Sequence, residues 1–411
     1  MYNEIKKCRI CGNENLKTIV DLGVQKLTGV FPLPGEMVNE GPLELVKCCG
    51  HNSCGLVQLK HSCACDEMYG ENYGYRSGLN RSMVRHLTEI TEEIQTKINI
   101  CQNDLVIDIG SNDSTLLRSY GNIGADFVGM DPTGIKFAKY YPENVELVAD
   151  FFSAENVKKV RGDKKAKVVT SIAMFYDLED PIKFAKDVCD VLDSEGIWVL
   201  EQSYLPAMLE ANSYDTICQE HLEFYCLAQI EWIVKAADLM VIDVSFNDAN
   251  GGSFRITVAK RGIYSENEAV RKIREYEKIK GFDDLSRYKE FRDNIEISKR
   301  NLLAFLDKAK SEGKKVYGYG ASTKGNVLLQ YCNIGKDDII AIAEVNEDKF
   351  GHVTPGSGIP IISEIEAKRD NPDYFLVLPW HFKENILEKE AKYRETSGCK
   401  FVFPLPKLEI L

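Results

Sequence analysis

Membrane-length apolar runs are missing from this sequence. No stretch approaches the ~18 residues that a spanning helix needs, and the N-terminus, MYNEIKKCRICG, has no apolar signal core. Membrane insertion and export are therefore not expected, and the cytoplasm is the expected compartment. A basic stripe is missing too. Net charge is −12, and the short KKAK (164–167) and KK (314–315) runs adjoin acids, which excludes the usual nucleic-acid footprint. The first α/β turn, DIGSNDS, lacks the G-x-G-x-x-G of dinucleotide enzymes. Histidine is scarce, at six residues, so each one is worth placing.

What is present bounds the class. A chain of 411 residues, 44% hydrophobic and 28% charged, fits a globular protein of two or three domains. Of its thirteen cysteines, seven lie in the first 65 residues. In a cytosolic setting that crowding points to metal more than to disulfides.

Residues 1–66 read as irregular, with two cysteine knuckles around the Pro- and Gly-rich loop FPLPGEMVNEGP. A helical lead-in over 67–100 follows, in which Val84, Leu87, Ile90 and Ile94 recur at helical spacing. From 104, β-rich runs alternate with helices: LVIDIG, DFVGMD, VELVA, KVVTSIA and GIWVLEQ. That alternation predicts a parallel sheet in an α/β fold, with SFRITVAK (253–260) as a late edge or hairpin strand. A charged helical linker spans 263–313. A second α/β block follows, with strands in KVYGYGAS, IIAIAEV, YFLVLPW and KFVFPLP. The expected domains are thus 1–66, 67–262 and 263–411.

Cys8 and Cys11 form C-x-x-C, and Cys48 and Cys54 a wider pair. Four thiolates close a tetrahedral structural zinc site, with Cys49 an alternative to Cys48 and His51 a weaker candidate. In the first loop of the central block, Asp108 ends a strand and Gly110 permits close approach. Asn112 and Asp113 offer side-chain oxygens. Asp131, followed by Pro132, ends the next strand, where an acid accepts ribose hydroxyls. Asp150 and Phe151 can flank an adenine. With a single glycine the loop suits a nucleoside without phosphates, such as S-adenosylmethionine, better than a dinucleotide.

The segment ICQEHLEFY (217–225) sets His221 beside Glu220 and Gln219, after the fifth strand. Imidazole near its ordinary pKa of ~6.5 takes a proton at neutral pH, although a histidine there can equally be packing. In the second block, YGYGASTKGN offers Gly318 and Gly320 for backbone access, Ser322 and Thr323 at a helix start, and Lys324 as a cation. That is a cradle for a diphosphate. Trp380 and His381 end a strand on the same edge and either line the cleft or cap the core.

CRICG, CGLVQL, YGYRSGLN, IDIGSND, YDTICQEHLEFY, NGGSFRITVA, YGYGASTKGNVLLQYC, PGSGIPII and PDYFLVLPWHF occur in this order. Together they resemble the three-domain C-methyltransferases acting on nucleotide-linked 4-keto deoxyhexoses. The resemblance implies an N-terminal zinc domain, a central Rossmann-like S-adenosylmethionine domain and a C-terminal Rossmann-like α/β domain. It implies a monomer with a dTDP-, GDP- or CDP-type keto-sugar bound between domains. It implies His221 as base with Glu220 beside it, and a tyrosine from the Y-x-Y-x-S segment, Tyr73 or Tyr75, near Ser77 and Asn80. Gln219, Tyr225, Asn250 and Gly252 are the further expected substrate contacts, with Ser322, Lys324 and His381.

Three positions depart from the family pattern. Gln219 replaces the first histidine of H-E-H-L, Cys218 stands where some relatives carry tyrosine, and Ser114 replaces the last glycine of G-S-N-D-G. Ser114 asks for an ordinary backbone conformation. The enolate donor must come from elsewhere: Tyr73, Tyr75, Asn80 or Gln219. The expected reaction is removal of the C-3 proton by His221, then attack of the carbanion on the sulfonium methyl. Methylation at another carbon or on oxygen, and a non-catalytic zinc and nucleotide-sugar-binding protein, are the alternatives.

Overall fold

The computed structural model describes residues 2–63 and 76–411. Tyr73 and Tyr75 lie outside the described residues, as does the side chain of Asn250. The N-terminal region is not irregular. After β1 (Tyr2–Glu4), the strands β2 (Leu16–Lys26) and β3 (Glu40–Cys48) form a long antiparallel hairpin. Next, β4 (Val57–Leu59) adds to β3, and β5 (His61–Cys63) pairs with β1. The hairpin was hidden because its register shifts between Thr18 and Val20 and again between Asp21 and Val24. Each bulge moves the inward face by one residue and breaks the period-2 pattern that sequence reading relies on.

The central block is a doubly wound sheet. It contains β6 (Leu105–Ile109), β7 (Asp126–Met130), β8 (Val145–Val148), β9 (Ala166–Ile172) and β10 (Leu192–Ser203). These five are parallel. Their runs of Val, Ile and Leu are buried on both faces, as parallel strands require. After the short β11 (Glu223–Phe224), the hairpin of β12 (Leu239–Asn247) and β13 (Ser253–Lys260) completes the order β12-β13-β10-β9-β6-β7-β8. Residues 253–260 therefore form an interior strand, covered by β12. The winding reverses between β6 and β9. In open α/β sheets, ligands bind at the carboxyl ends flanking such a reversal.

The helices Glu268–Lys280 and Leu285–Ser311 bridge to the second block, as their charge and period predict. That block contains β14 (Val316–Tyr319), β15 (Ile342–Glu344), β16 (Ile361–Ser363), β17 (Tyr374–Val377), β18 (Lys400–Phe403) and β19 (Glu409–Ile410). Its order is β16-β15-β14-β17-β18-β19, the same winding with an antiparallel sixth strand.

The three regions share contacts at one place. β11 pairs with β4, so the central block adds a fourth strand to the N-terminal sheet two residues after His221. Leu222 N donates to Tyr176 O at 2.8 Å, and Leu222 O accepts from Leu59 N at 2.8 Å. One apolar core runs through Leu43 and Leu45 of the N-terminal sheet, Tyr214 and Ile217 of the central loop, and Leu328 and Phe375 of the C-terminal block. The segment before His221 is thereby fixed by all three regions.

Candidate active site

Loop 213–222 is the centre of the site. His221 Nδ1 lies 2.9 Å from Thr216 O. A carbonyl only accepts, so Nδ1 carries the proton and Nε2 keeps its lone pair. The imidazole packs edge-on against Tyr176, centroids 4.4 Å apart. Both rings line a small cavity with Thr216, Ser203 and Glu223. Burial pushes the His221 pKa down to about 4, helped by the positive charge of Lys324 and opposed by the Thr216 carbonyl. The ring is therefore neutral at pH 7. Burial drives Glu220 the other way, up to about 7, against the Cys218 thiol that donates to it at 3.8 Å. Glu220 rests on the N-terminal domain: a Cβ on Gly29 would come within 2.0 Å of Glu220 Oε1. Only glycine leaves room for the carboxyl there.

Gln219 is a clamp rather than a substrate contact. Its Oε1 accepts from Thr28 N and Oγ1 at 3.3 and 3.0 Å, and its Nε2 donates to Gln25 O at 3.3 Å. Asn326 Nδ2 donates to Thr28 O at 2.8 Å, which ties the same strand end to the C-terminal domain. The amide expected to steady an enolate is spent on this junction.

Asp215 was not anticipated. It is fully buried, and its Oδ2 accepts from Trp380 Nε1 at 2.8 Å. Burial pushes its carboxyl up, while Lys324 and the Trp380 indole oppose that shift. Burial in turn pushes Lys324 down, opposed by the charges of Asp215 and Cys218. Lys324 therefore sits in one electrostatic group with Asp215, His221 and His381. Burial and Lys324 push His381 well below its ordinary value, and its Nδ1 is buried without a hydrogen-bond partner among the described residues. Its Cβ would lie 3.6 Å from a Cβ on Gly251. His381 thus packs against the NGG turn of the central domain. The sequence signal for Asp215 was its place in YDTICQEHLEFY. For Tyr176 there was none.

Other expected contacts fall elsewhere. Tyr225 is fully buried and stacks on Phe175 with centroids 5.7 Å apart, so it belongs to the core. Asn80 is exposed and caps helix Arg81–Lys97, accepting from Ser82 N at 3.0 Å. Gly252 has φ +116°, and a Cβ there would meet Ala207 Cβ at 2.7 Å, so it serves close packing. Ser322 caps helix Thr323–Tyr331 through Gly325 N at 3.0 Å. In the same turn, Ala321 N is taken by Glu344 Oε2 at 2.7 Å. An acid and a cap occupy donors that the diphosphate cradle needed.

The methyl-donor crevice lies at the carboxyl ends of β6 and β9. Gly110 has φ +72°, and a Cβ there would press on Met174 Cγ at 3.2 Å. Asp131 Oδ2 accepts from Asn112 N at 2.8 Å, and Oδ1 from Thr133 N and Oγ1 at 2.7 and 2.6 Å. A carboxylate has about four lone-pair sites, so one remains for a ribose hydroxyl. Pro132 beside it is exposed. Asp108 is buried, accepts from Thr170 Oγ1 at 2.6 Å, and is pushed by burial up to about 7. The Thr170 bond ties it to the neighbouring strand β9. Asp150 Oδ1 accepts from Phe151 N at 2.7 Å, and the Phe151 ring is 55% exposed at this edge. A flat apolar face in solvent suits an adenine, so the residues fit S-adenosylmethionine.

Ser114 corrects an expectation. It adopts the left-handed conformation, φ 63°, that the family's glycine would take. The turn demands it: Ser114 N closes onto Ser111 O at 2.8 Å, and Ser114 O starts the next helix. Its hydroxyl is buried and has no partner among the described residues.

The Sγ atoms of Cys8, Cys11, Cys48 and Cys54 lie within 4.8 Å of one another. Cys8 and Cys54 are 3.4 Å apart, Cys11 and Cys48 3.5 Å. Zinc at about 2.3 Å from four sulfurs sets them about 3.8 Å apart, so this cluster fits a tetrahedral ion. Cys48, not Cys49, is the fourth ligand, steadied by Asn13 Nδ2 at 3.3 Å. With only protons to share, the Cys54 S–H holds the Cys8 thiol at about 5, and burial pushes Cys48 up to about 11. Four thiolates need the cation. Arg9, between two ligands, reaches the central domain at Glu179 (3.3 Å) and Glu223 (3.7 Å).

Comparison with known proteins gives three consecutive matches, the last of which begins before β13 of the central sheet. Family models match as a zinc binding domain (residues 8–69), a methyltransferase domain (76–244) and a C-methyltransferase C-terminal domain (248–406). The C-methyltransferase NovU of Streptomyces niveus is 29% identical over 414 residues, covering 99% of this chain and 97% of its own length. Among solved structures, the CcbJ methyltransferase from Streptomyces caelestis aligns at TM-score 0.34 and 11% identity, covering 42% of this chain and 89% of its own. The plantazolicin methyltransferase BpumL in complex with SAH aligns at 0.35 and 13%, covering 43% and 82%. Scores this low carry no weight beside the strand order above.

Two outcomes are expected. Cys48→Ser abolishes stoichiometric zinc by elemental analysis, whereas Cys49→Ser retains it; the reverse would assign the ligand to Cys49. Ser114→Gly relieves a left-handed side chain that costs about 1 kcal/mol, so the melting temperature rises with methyl-donor affinity unchanged.

Proposed function

We propose that this chain, an S-adenosylmethionine-dependent C-methyltransferase with a zinc-binding N-terminal domain, methylates C-3 of a nucleotide-linked 4-keto deoxysugar. The observation that carries the chemistry is the His221 Nδ1–H bond to Thr216, which leaves Nε2 as a neutral, oriented base. The sugar, its keto group and the nucleotide rest on the motif resemblance. The chain acts as a monomer in the cytoplasm. Among the described residues, no helix is long and apolar enough to cross a membrane.

A C–H bond loses its proton only beside an electron sink. In a 4-keto sugar the carbonyl acidifies C-3 and C-5. His221 Nε2 takes the C-3 proton, and the electron pair moves onto the carbonyl oxygen as an enolate. Glu220, whose pKa burial raises to about 7, donates in its protonated form to that oxygen in place of the tyrosine absent at 218. One group is held neutral as base and its neighbour neutral as acid, because their surroundings push the two pKa values in opposite directions. S-adenosylmethionine, when bound through Asp131 and Phe151, supplies an electrophilic sulfonium methyl. Lys324 offsets negative charge arriving with the diphosphate or the enolate.

His221→Ala is expected to lower kcat by about 10³-fold, within the span of positioned acid–base catalysis, while zinc content and melting temperature hold. Solvent deuterium exchange at C-3 without methyl donor should disappear with it. Wild-type rates in this variant would remove His221 from the mechanism. Activity requires His221 unprotonated and Glu220 protonated. The profile of kcat/KM should therefore rise through about pH 4 and fall through about pH 7. Glu220→Gln, which still donates, should lose the alkaline limb. A panel of dTDP-, GDP- and CDP-linked 4-keto deoxysugars with labelled methyl donor, read by NMR, identifies the acceptor and the carbon. Methyl on oxygen would refute the enolate route.

A further inference from the structure

The loop residues Asn112 and Asp113 sit where a methyl donor would be contacted, yet their side chains are turned to the chain itself. Asn112 Oδ1 accepts from Ser77 N at 3.0 Å, and Asp113 Oδ2 accepts from Gly78 N at 3.0 Å. Asp113 Oδ1 accepts from Thr115 Oγ1 at 2.5 Å. The Asp113 carboxylate also faces Arg76 Nε at 3.6 Å. Arg76 lies over the Tyr140 ring, 4.5 Å from its centroid, and bonds the Tyr140 hydroxyl. Both loop side chains are buried, Asn112 at 8% exposure and Asp113 at 1%. The fit leaves no slack: a Cβ on Gly78 would lie 2.5 Å from Asp113 Oδ2. Two successive backbone amides meet two successive side-chain acceptors, and a cation closes the outer end.

We infer that Asn112 and Asp113 are positioning residues that clamp Arg76–Gly78 against the cofactor loop, and that they govern the acceptor rather than holding the methyl donor. Arg76–Gly78 is the described end of the Y-x-Y-x-S-G segment, and Ser77 is itself an expected acceptor contact. Its amide and that of Gly78 are satisfied by the loop that also carries Gly110 and leads to Asp131. The donor side and the acceptor side of the site are thus one hydrogen-bonded unit. The choice of asparagine at 112 follows: its φ is 48°, a left-handed conformation that Asn and Asp tolerate. It supplies an oxygen that glycine lacks.

This inference rests on the proposed sugar acceptor, so its test includes an arm that needs none. Asn112→Gly keeps the left-handed backbone and deletes the acceptor. Asn112→Asp keeps the oxygen, and Gly78→Ala pushes the clamp open from the other side. In Asn112→Gly, hydrogen exchange at the Ser77 amide should accelerate at least tenfold, while calorimetric titration with S-adenosylmethionine gives a Kd within about twofold of wild type. KM for the keto-sugar that wild type methylates should rise about tenfold in Asn112→Gly and Gly78→Ala, and stay near wild type in Asn112→Asp. A tenfold weaker Kd for S-adenosylmethionine, alone or with the acceptor, would overturn the assignment. Wild-type constants in all three variants would overturn it equally. Unchanged Ser77 exchange would remove the clamp itself. If no keto-sugar is turned over, the proposed function fails, and the exchange and calorimetry arms still decide the clamp.

Discussion

One hydrogen bond, from His221 Nδ1 to the carbonyl of Thr216, determines what the site can do. It selects the tautomer and leaves the other ring nitrogen with its lone pair. A bond over five residues holds only if the intervening loop has one shape. That shape is imposed from outside. Gln219 is bound by Thr28 and Gln25, Asp215 by Trp380, and Leu222 by Leu59 and Tyr176. Between them the anchors come from the N-terminal, central and C-terminal regions. In the proposed mechanism the three-domain architecture is therefore a condition for the base, and the zinc knuckle serves it indirectly by holding Arg9 and the strand that pairs with Glu223–Phe224.

The electrostatics follow from burial more than from ion pairing. His221, His381 and Lys324 are all pushed toward neutrality by desolvation, as are Glu220 and Asp215 from the other side. A cleft of groups reluctant to carry charge suits a reaction whose ground state is neutral at the reacting carbon and whose intermediate is anionic. In the proposed reaction, charge appears only when the proton moves to His221, where the field of Lys324 is already felt.

Much of this was legible in the residues. The buried runs from Leu105 to Gln202 and from Val316 to Phe403, alternating with helices, read as parallel strands, and C-x-x-C with Cys48 and Cys54 could close a site. The N-terminal hairpin was not legible, because two bulges erase its alternation. Whether Asn112, Asp113, Gln219 and Ser322 meet a ligand or the chain was not legible either. A polar side chain in a loop looks the same in both cases, and only the fold shows which backbone amides it satisfies. Ser114 shows the converse: the turn enforces a left-handed backbone on a residue that does not favour one.

The most direct test is the protonation state of His221 itself. Nitrogen NMR of histidine-labelled protein should show this ring neutral at pH 7, protonated at Nδ1, and titrating near pH 4 in the free enzyme. A ring protonated at Nε2, or an imidazolium at pH 7, would contradict the account, because neither leaves a lone pair on Nε2.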